Sequence, residues 1–326
     1  MSFFSAIIKK LVWSFLLILA VLVLNFLLIH MAPGDPADVI AGEMGGVTQE
    51  ILDDIRKSYG LDQPLYTQLW VYLSRAIQGD LGDSFFYNTP VLDLILDRMG
   101  PTLLLVITAL LFALVIGTAL GVIASRKPNG FVSYVVTILS IIGYATPIFW
   151  SGLMLVILFA SIIPLFPIAG MQDIALEGGV MVKTLDIARH LVLPAFTLGI
   201  VYLAQYSRLT RASMLEILGS DYIRTARAKG VSEFKVYSKH ALRNAILPIV
   251  TIAGLQFGSV ISGAVLVETV FSWPGLGTLA FESILARDYP TILGILFFSA
   301  VLVIIANIVT DITYRLVDPR VGASKS

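Results

Sequence analysis

The chain has 326 residues, of which 57% are hydrophobic and only 13% are charged, and its mean hydropathy is +0.88. Soluble domains carry about 25% charged residues, so this composition excludes an ordinary soluble protein and indicates a membrane protein with several spans. The absence of cysteine excludes thiol catalysis, thiolate metal sites and disulfides. The three histidines, His30, His190 and His240, lie far apart and give no HExxH zinc motif.

The first apolar run follows Lys9 and Lys10 and extends from Leu11 to about Met31. It is longer than the roughly 7–15 residues of a signal-peptide core, and Pro33 lies in an unsuitable context for cleavage. We therefore expect residues 1–31 to be a retained transmembrane anchor rather than a removed signal peptide.

The next segment, residues 32–100, contains three helix signals. One begins at Thr48, a second extends from Pro64 to Gly79, and a third starts at Pro90 and leads into the second span. The second signal places apolar side chains on one helical face: Leu65, Leu69, Tyr72, Leu73 and Ile77. Two interpretations stay open for this segment, a linker folded onto the membrane surface and a platform for an external partner.

Six apolar runs can cross a membrane: Leu11–Met31, Pro101–Ser125, Phe131–Ile163, His190–Ala212, Ala245–Phe271 and Pro290–Arg315. The third run is long enough to be one tilted helix, and Pro147 predicts a bend near Gly143–Pro147 because proline removes a backbone donor. Dividing this run into two spans requires a tight turn inside the membrane and moves every later loop to the opposite side.

The charges favour six spans with both termini in the cytoplasm. In that arrangement the inner segments hold 15 Lys/Arg and 5 Asp/Glu, a net charge of +10, and the outer segments hold 7 and 17, a net charge of −10. The Lys/Arg bias is the established orientation signal. We expect an all-α polytopic membrane protein with a core over residues 101–317 and a cytoplasmic tail over residues 318–326.

A basic cytoplasmic loop, residues 213–244, joins the fourth and fifth predicted spans. Ser220 and Asp221 are suitable N-cap residues, Gly230 is suited to the left-handed conformation that ends a helix, and Ser232 is placed to cap a second helix. In the second helix we expect Phe234, Tyr237 and Ala241 near one face and Lys235, Lys239 and Arg243 on a neighbouring face. Composition alone leaves two interpretations of the loop, contact with anionic lipid and docking of another protein.

The sequence contains no GxxxxGK[ST] phosphate-binding loop. The acidic residues of the spans, Glu268 and Asp311, lie towards span ends, whereas ion-coupled transporters usually place ionisable groups deep in the membrane. Uncharged Gln205 and Gln256 lie in the middle of spans and are candidates for a translocation path. An energy source on another subunit is therefore expected.

Two glycine pairs have the four-residue spacing that allows close approach of helices: Gly117/Gly121 and Gly254/Gly258. Packing within this chain and packing against a second membrane subunit are both compatible with the pattern.

Several motifs occur in an order that resembles the peptide-type ABC permeases, and most closely the B-type subunit of the dipeptide and oligopeptide permeases. They are Met31-Ala32-Pro33-Gly34-Asp35-Pro36, Thr225-Ala226-Arg227-Ala228-Lys229-Gly230, His240-Ala241-Leu242-Arg243-Asn244-Ala245, Val267 to Gly277, Arg287-Asp288-Tyr289-Pro290 and Asp318-Pro319-Arg320. The resemblance covers nearly the whole chain. It departs from the general importer pattern in the docking loop, where Arg224 and Thr225 replace its first two residues and His240 and Arg243 replace its Ile and Pro.

The resemblance implies a type I ABC importer fold and a transport subunit rather than an enzyme, in the bacterial inner membrane. It implies a heterodimer with a similar permease subunit, two cytoplasmic ATPases that bind ATP and Mg²⁺, and an extracytoplasmic solute-binding protein. This chain is expected to bind no cofactor, metal or nucleic acid. The implied cargo is a dipeptide or oligopeptide, with a nickel chelate, glutathione or an oligosaccharide as the alternative on the same machinery. A channel or an intramembrane enzyme is the third possibility, but the sequence contains neither a charged pore ring nor a catalytic pair.

The resemblance also implies site residues. The docking loop comprises Asp221, Arg224, Thr225, Ala226, Arg227, Ala228, Lys229, Gly230, Lys235, Lys239 and His240. We expect alanines to seat this loop in a groove of the ATPase, so that Ala226→Asp uncouples ATP hydrolysis from uptake. The candidates for an outer gate are Glu268, Trp273, Pro274 and Gly275. Trp273 also fits an interfacial anchor, and Glu268 fits either a contact with a peptide N-terminus or the anchor of a loop.

Overall fold

The computed structural model of the chain describes residues 3–31 and 62–317. The helices are α1 (Phe3–Met31), α2 (Leu65–Ile77), α3 (Val91–Arg126), α4 (Phe131–Ala145), α5 (Ile148–Val156), α6 (Val180–Leu218), α7 (Asp221–Ala228), α8 (Glu233–Lys235), α9 (Leu242–Val270), α10 (Leu276–Leu285) and α11 (Tyr289–Val317). A π-helix over Ile157–Ile162 continues α5, and another over Val236–Ala241 joins α8 to α9. The helix predicted after Thr48, most of the first motif and the tail lie outside the described residues.

Three helices of the described chain are long and apolar enough to cross a membrane: Val91–Arg126, Val180–Leu218 and Tyr289–Thr310. Two bent pairs raise the number to five if each is one span, namely Phe131–Ala145 with Ile148–Ile162 and Glu233–Gln256 with Val260–Phe271. The predicted first span is helical throughout α1, within which Val12–Leu28 is a shorter apolar helix. The chain is thus an α-helical membrane protein, whereas the number of six spans and the side of each terminus stay predictions.

The third predicted span breaks at Thr146 and Pro147. Both residues have extended backbone, with ψ of 131° and 133°, and the two helices meet at 106°. The bend lies at the predicted position, but it is far sharper than the kink in a single tilted helix that we expected. The reason is steric, because proline pushes the preceding residue out of the helical region and so interrupts the helix over two residues instead of one.

The bend of 63° between Gln256 and Val260 in α9 was not predicted. Nearby, Gly254 faces Thr310 so closely that an added Cβ would collide with its side chain. In the same way, a Cβ at Gly117 would meet the Leu203 carbonyl oxygen at 2.8 Å. A Cβ atom this close to a neighbouring atom would force one of the two helices to move. These two glycines therefore serve packing within the chain.

The described chain divides into two compact units. In the first, residues 3–31, 62–99 and 279–304, a buried carboxylate organises the turn before α3. Asp288 accepts hydrogen bonds from the Ser84 hydroxyl (2.5 Å), the Phe85 amide (3.2 Å) and the Thr291 hydroxyl (2.6 Å). The three donors stabilise the negative charge of the Asp288 carboxylate. The carboxylate in turn holds together the segments that supply the donors. This contact gives the Arg287–Pro290 motif a structural role.

Close to that turn, the Tyr87 hydroxyl donates a hydrogen bond of 2.9 Å to Glu282. Partial burial and the adjacent carboxylate raise the pKa of Tyr87 to about 12. Because the folded pKa exceeds the ordinary value of 10, this contact stabilises the fold fully below pH 10. The contribution is lost as the pH rises towards 12.

Candidate docking loop, outer corner and polar midspan contact

The second unit, residues 100–278 and 305–317, contains the predicted docking loop, which has a hydrophobic core of its own. Five fully buried residues form this core: Met214, Ile223, Val236, Ala241 and Ala245. They come from the end of α6, from α7, from the π-helix and from the start of α9. The loop is therefore packed onto the ends of two long helices, and it cannot move far without moving them.

Polar contacts hold the two short helices of the loop together. Arg227 donates two hydrogen bonds to the Glu233 carboxylate, at 2.8 and 3.2 Å. This pairing lowers the pKa of Glu233 below its ordinary value. The Tyr222 hydroxyl donates to the His240 carbonyl oxygen at 3.3 Å and accepts from the Asn244 side chain at 2.9 Å. The loop is thus a preformed element and not a flexible basic tether.

The predicted ends of these helices are confirmed, but the predicted side-chain caps are not. Ser220 and Ser232 occupy the N-cap positions of α7 and α8 with extended backbone, yet neither side chain makes a capping hydrogen bond. The Ser220 hydroxyl instead donates to the Ile217 carbonyl oxygen at 2.6 Å. Gly230 has φ of +75°, the left-handed conformation expected for it.

The orientation predicted for the second helix was wrong at Phe234. We expected Phe234, Tyr237 and Ala241 near one face, but Phe234 is 73% exposed, while Val236 and Ala241 are fully buried. The π-helix over Val236–Ala241 explains the difference. Its wider turn aligns residues five apart, whereas our pattern assumed α-helical spacing.

The outer surface of the loop carries most of the predicted docking residues. Those exposed are Asp221, Arg224, Thr225, Arg227, Ala228, Lys229, Gly230, Lys235 and Lys239. His240 is half-buried, and Ala226 is largely buried, with only 9% of its surface exposed. Residues 221–243 contain six basic and two acidic side chains, a net charge of +4. The exposed face therefore combines positive charge with two aromatic side chains, Tyr222 and Phe234, whose exposure the sequence analysis did not predict.

The burial of Ala226 changes the reason for the expected effect of Ala226→Asp. The substitution places a carboxylate at a largely buried position of the loop, which destabilises the loop itself by several kcal/mol. We expect rapid cleavage of this variant at the loop when membranes are treated with trypsin from the cytoplasmic side. Ala228→Asp, two residues away on the exposed face, should be cleaved at the parental rate. Equal cleavage rates of the two variants would contradict this assignment.

The predicted outer gate forms a closed corner at the end of α9. Glu268 is fully buried and accepts hydrogen bonds from the Thr102 hydroxyl (2.7 Å) and from the amides of Gly277 (2.6 Å) and Thr278 (3.2 Å). Of the two roles left open for Glu268, this geometry is that of a loop anchor. The carboxylate connects α3, α9 and the start of α10, and we call this cluster the Glu268 corner.

Trp273 and Gly275 belong to the same corner. Trp273 is fully buried, and its indole Nε1 donates to the Pro101 carbonyl oxygen at 2.9 Å. Interfacial anchoring by Trp273 is therefore wrong, because such anchors lie at the exposed surface. A Cβ at Gly275 would collide with the Glu268 carboxylate, so only glycine fits there. Pro274 is half-buried beside them. The sequence pattern predicted a flexible gate at these residues, whereas the structure packs them tightly.

The structure brings together the two glutamines predicted for the path. The Gln256 side-chain nitrogen donates to the Gln205 oxygen at 2.6 Å, and the Tyr206 hydroxyl donates to the Gln256 oxygen at 2.7 Å. Tyr206 was not predicted, because a tyrosine in an apolar run gives no signal beyond its hydrophobicity. The Tyr206 hydroxyl and the Gln256 side-chain nitrogen thus each donate to an acceptor, as polar groups at membrane depth require.

Two family models match the chain and together cover almost all of it. Residues 117–323 match the binding-protein-dependent transport system inner membrane component, and residues 3–108 match the N-terminal region of the corresponding membrane component. The first model covers more than half of the chain by itself.

Curated relatives match over nearly their full length. The chain is 40% identical over 316 residues to the oligopeptide transport system permease protein AppB of Bacillus subtilis, covering 97% of this chain and 98% of the relative. It is 39% identical over 324 residues to the dipeptide transport system permease protein DppB of Escherichia coli K12, covering 94% and 95%. It is 42% identical over 316 residues to the glutathione transport system permease protein GsiC of Escherichia coli O6:H1, covering 97% and 98%.

Among solved structures, an inward-facing conformation of the MetNI methionine ABC transporter superposes with a TM-score of 0.54. The match covers 69% of this chain and 96% of the other at 18% identity, so it concerns the fold alone. This likeness agrees with the type I importer fold implied by the motifs. The chain belongs to the family of binding-protein-dependent transport system inner membrane components.

Proposed function

We propose that this chain is a membrane-spanning subunit of an ATP-driven importer for peptides in a bacterial inner membrane. The observation that carries the proposal is the docking loop, a preformed, exposed and basic element packed onto α6 and α9. Support for the cargo comes from the relatives, which are named for oligopeptide, dipeptide and glutathione transport. Glutathione is the second candidate, and it is itself a small peptide.

The proposed assembly contains a second, similar permease subunit, two cytoplasmic ATPases and an extracytoplasmic solute-binding protein. ATP and Mg²⁺ are bound by the ATPases, and this chain binds no cofactor. Both termini lie in the cytoplasm, as the Lys/Arg distribution indicates. The chain transmits force and shapes the path, and the binding protein selects the peptide.

The contacts of α9 suggest how force is transmitted. Its first residues pack into the core of the docking loop through Ala245, and its last turn holds Glu268 in the outer corner. Its 29 residues correspond to about 40 Å measured along the helix, and the 63° bend after Gln256 reduces the end-to-end length to about 35 Å, which still exceeds the thickness of the hydrocarbon layer. When the two ATPase subunits close around ATP, they move the docking loop. Helix α9 then conveys this movement towards the opposite side of the membrane. For this to happen, ATP must bind one state of the assembly more tightly than the other.

The proposal is tested by reconstituting this chain with a second permease subunit, two ATPases and a solute-binding protein from the same organism. We expect liposomes to take up a labelled dipeptide or oligopeptide only when ATP and the binding protein are both present. Calorimetry on the binding protein identifies the cargo, and uptake of glutathione instead of other peptides would select the second candidate. Uptake without ATP, or driven by an ion gradient alone, would contradict the proposal.

A further inference from the structure

Helix α6 is covered by other helices of the second unit on three of its sides. Its contacts are Leu203 with Gly117 of α3, Ile200 with Gly143 of α4 and Gln205 with Gln256 of α9. Because a helix turns by about 100° per residue, these contacts leave a fourth side open, between the sides that face α4 and α9. Arg208 and Ala212 lie on this open side, and both are exposed.

Arg208 lies inside the fourth predicted span and not at its end. The residue before it, Ser207, approaches α3 so closely that a Cβ at Gly121 would lie 2.6 Å from the Ser207 carbonyl oxygen. Gly121 precedes Arg126, the last residue of α3, by five residues, which corresponds to about 7.5 Å of helix. Both helices run towards the predicted inner side, so the backbone of Arg208 lies roughly 8 Å deeper than that end of α3.

The guanidinium of Arg208 is directed deeper still. It lies over the ring of Tyr144, with Cζ 4.8 Å from the ring centroid, a distance at which a cation is attracted to the ring. Gly143, beside Tyr144, packs against Ile200 and Ala204, which precede Arg208 on α6. Tyr144 therefore lies one to two turns further from the predicted inner end than Arg208. Helical side chains incline towards the N-terminus, and that direction leads to the middle of the span.

The next arginine of α6 shows a different arrangement. Arg211 donates hydrogen bonds to the Ser133 hydroxyl at 3.0 Å and to the Pro128 carbonyl oxygen at 3.2 Å, at the predicted inner side. Within the described residues Arg208 has no hydrogen-bond acceptor and no carboxylate partner, and its cation–π contact is with Tyr144. The five N–H donors of its guanidinium are thus left for a group that this chain does not supply.

The chemistry of the open side favours an anion in water as the partner of Arg208. An unpaired guanidinium is unfavourable among acyl chains, so charged residues inside spans face water-filled cavities and mark substrate paths. Gln205, a candidate for the path, lies one turn deeper on the neighbouring part of α6. A free peptide carries a C-terminal carboxylate that is ionised at neutral pH, and a guanidinium binds a carboxylate through two parallel hydrogen bonds.

We propose that Arg208 binds the C-terminal carboxylate of the cargo in the translocation path and that Tyr144 positions its guanidinium. The proposal rests on the proposed function of the chain as a subunit of a peptide importer. The carboxylate is common to peptides of every sequence, so this contact serves a path that does not select among them. A lipid phosphate is a second source of an anion for the same guanidinium, and labelling from water separates the two.

The absence of cysteine in the chain allows this labelling in the assembled, reconstituted importer. Ala212→Cys places a thiol one turn from Arg208 on the open side, and the unsubstituted chain gives the background of the partner subunits. The thiol is treated with an anionic reagent, sulfonatoethyl methanethiosulfonate, and a cationic one, trimethylammonioethyl methanethiosulfonate. A unit charge about 6 Å away in water changes each rate about 3-fold, in opposite directions.

We therefore expect the ratio of the anionic to the cationic rate to fall about 10-fold when Arg208→Gln is added to Ala212→Cys. A ratio that Arg208→Gln leaves unchanged would overturn the proposal, because a lipid phosphate paired with Arg208 cancels its charge. A thiol that reacts with neither reagent would overturn it as well. This measurement needs no transport, so it stands even if the assembly proves to carry another cargo.

Uptake then shows whether the anion is the cargo. A dipeptide and its C-terminal amide are delivered by the same solute-binding protein to the parental chain and to Arg208→Gln, so the preference of the binding protein cancels. We expect Arg208→Gln to slow uptake of the free acid about 10-fold or more, as for the loss of one charged hydrogen bond, and to leave uptake of the amide unchanged. Arg208→Lys should recover part of the rate.

The role of Tyr144 is tested in the same assay. Tyr144→Phe keeps the ring and should transport the free acid at the parental rate, whereas Tyr144→Leu should be slower for the free acid alone. Parental uptake of the free acid by Arg208→Gln, or an equal loss for the acid and the amide, would overturn the proposal. A parental assembly that transports no peptide would instead count against the proposed function.

Discussion

Phe234→Asp should abolish ATP-driven uptake while leaving the chain folded and inserted. Phe234 is a large aromatic side chain that is 73% exposed at the tip of a loop with a net charge of +4. Aromatic side chains and arginine are enriched in protein interfaces, where a few such residues carry most of the binding energy. Loss of such a contact costs about 2 kcal/mol or more, which is about a 30-fold weaker association. We therefore expect the ATPase subunits to copurify poorly with the variant, as measured by pull-down from detergent extracts.

A matched control for this prediction is Phe131→Asp. Phe131 is 82% exposed at the start of α4, also on the predicted cytoplasmic side, but it lies outside the docking loop. This variant should retain its ATPases. A Phe234→Asp variant that retains the ATPases and transports at the parental rate would show that docking does not use this side chain. Loss of the ATPases in both variants would indicate a general effect of charge near the membrane.

Glu268→Ala should be strongly destabilising at the predicted outer end of α9. It removes the acceptor for the Thr102 hydroxyl and for the amides of Gly277 and Thr278 inside a fully buried corner. Each buried donor left without a partner costs about 1–3 kcal/mol, so the total loss in the free energy of unfolding is about 3 kcal/mol or more. This loss should lower the midpoint of thermal unfolding by roughly 5 °C or more. The buried Trp273 lies in the same corner, so its fluorescence reports the transition.

Two further variants show whether this loss of stability comes from the Glu268 corner itself. Glu268→Gln keeps the shape and one acceptor oxygen, and it should have an intermediate effect. Glu282→Ala removes an exposed carboxylate whose bond in the structure is to Tyr87, and it should change the unfolding midpoint little. A Glu268→Ala variant as stable as the parent would contradict the assignment of Glu268 as an anchor and would return it to the candidates for peptide contact.

Features set by local chemistry could be predicted from the sequence. Gly230 was expected in the left-handed region because a helix had to end between two short apolar patterns, and Pro147 was expected to bend the third span. The glutamines in the middle of α6 and α9 were singled out as uncharged polar groups of a candidate path, which stays a prediction, and their hydrogen bond to each other was not predicted. For Gly230 and Pro147 the residue type alone determines the backbone.

Features that depend on packing could not be predicted. The burial of Ala226 depends on how α7 packs, and the exposure of Phe234 depends on the π-helix that follows it, which leaves no recognisable pattern in a single sequence. Trp273 suits an interface in isolation, and only the proximity of the Pro101 carbonyl makes it a buried donor. Glu268 lies near a span end in the sequence, yet its donors come from residues up to 166 positions away. Long-range contacts of this kind are invisible to local composition.

Site-specific crosslinking from the docking loop tests the central claim most directly. Because the chain has no cysteine, Ala228→Cys can carry a thiol-linked photocrosslinker on the exposed face of the loop in intact membranes. The control is Ile174→Cys, which is 97% exposed in the connection before α6 on the predicted outer side. From residue 228 we predict a crosslinked product between this chain and an ATPase subunit, and its yield should change when ATP is added. From residue 174 we predict no crosslink to an ATPase subunit. An ATPase product from residue 174, with none from residue 228, would contradict both the orientation and the docking role.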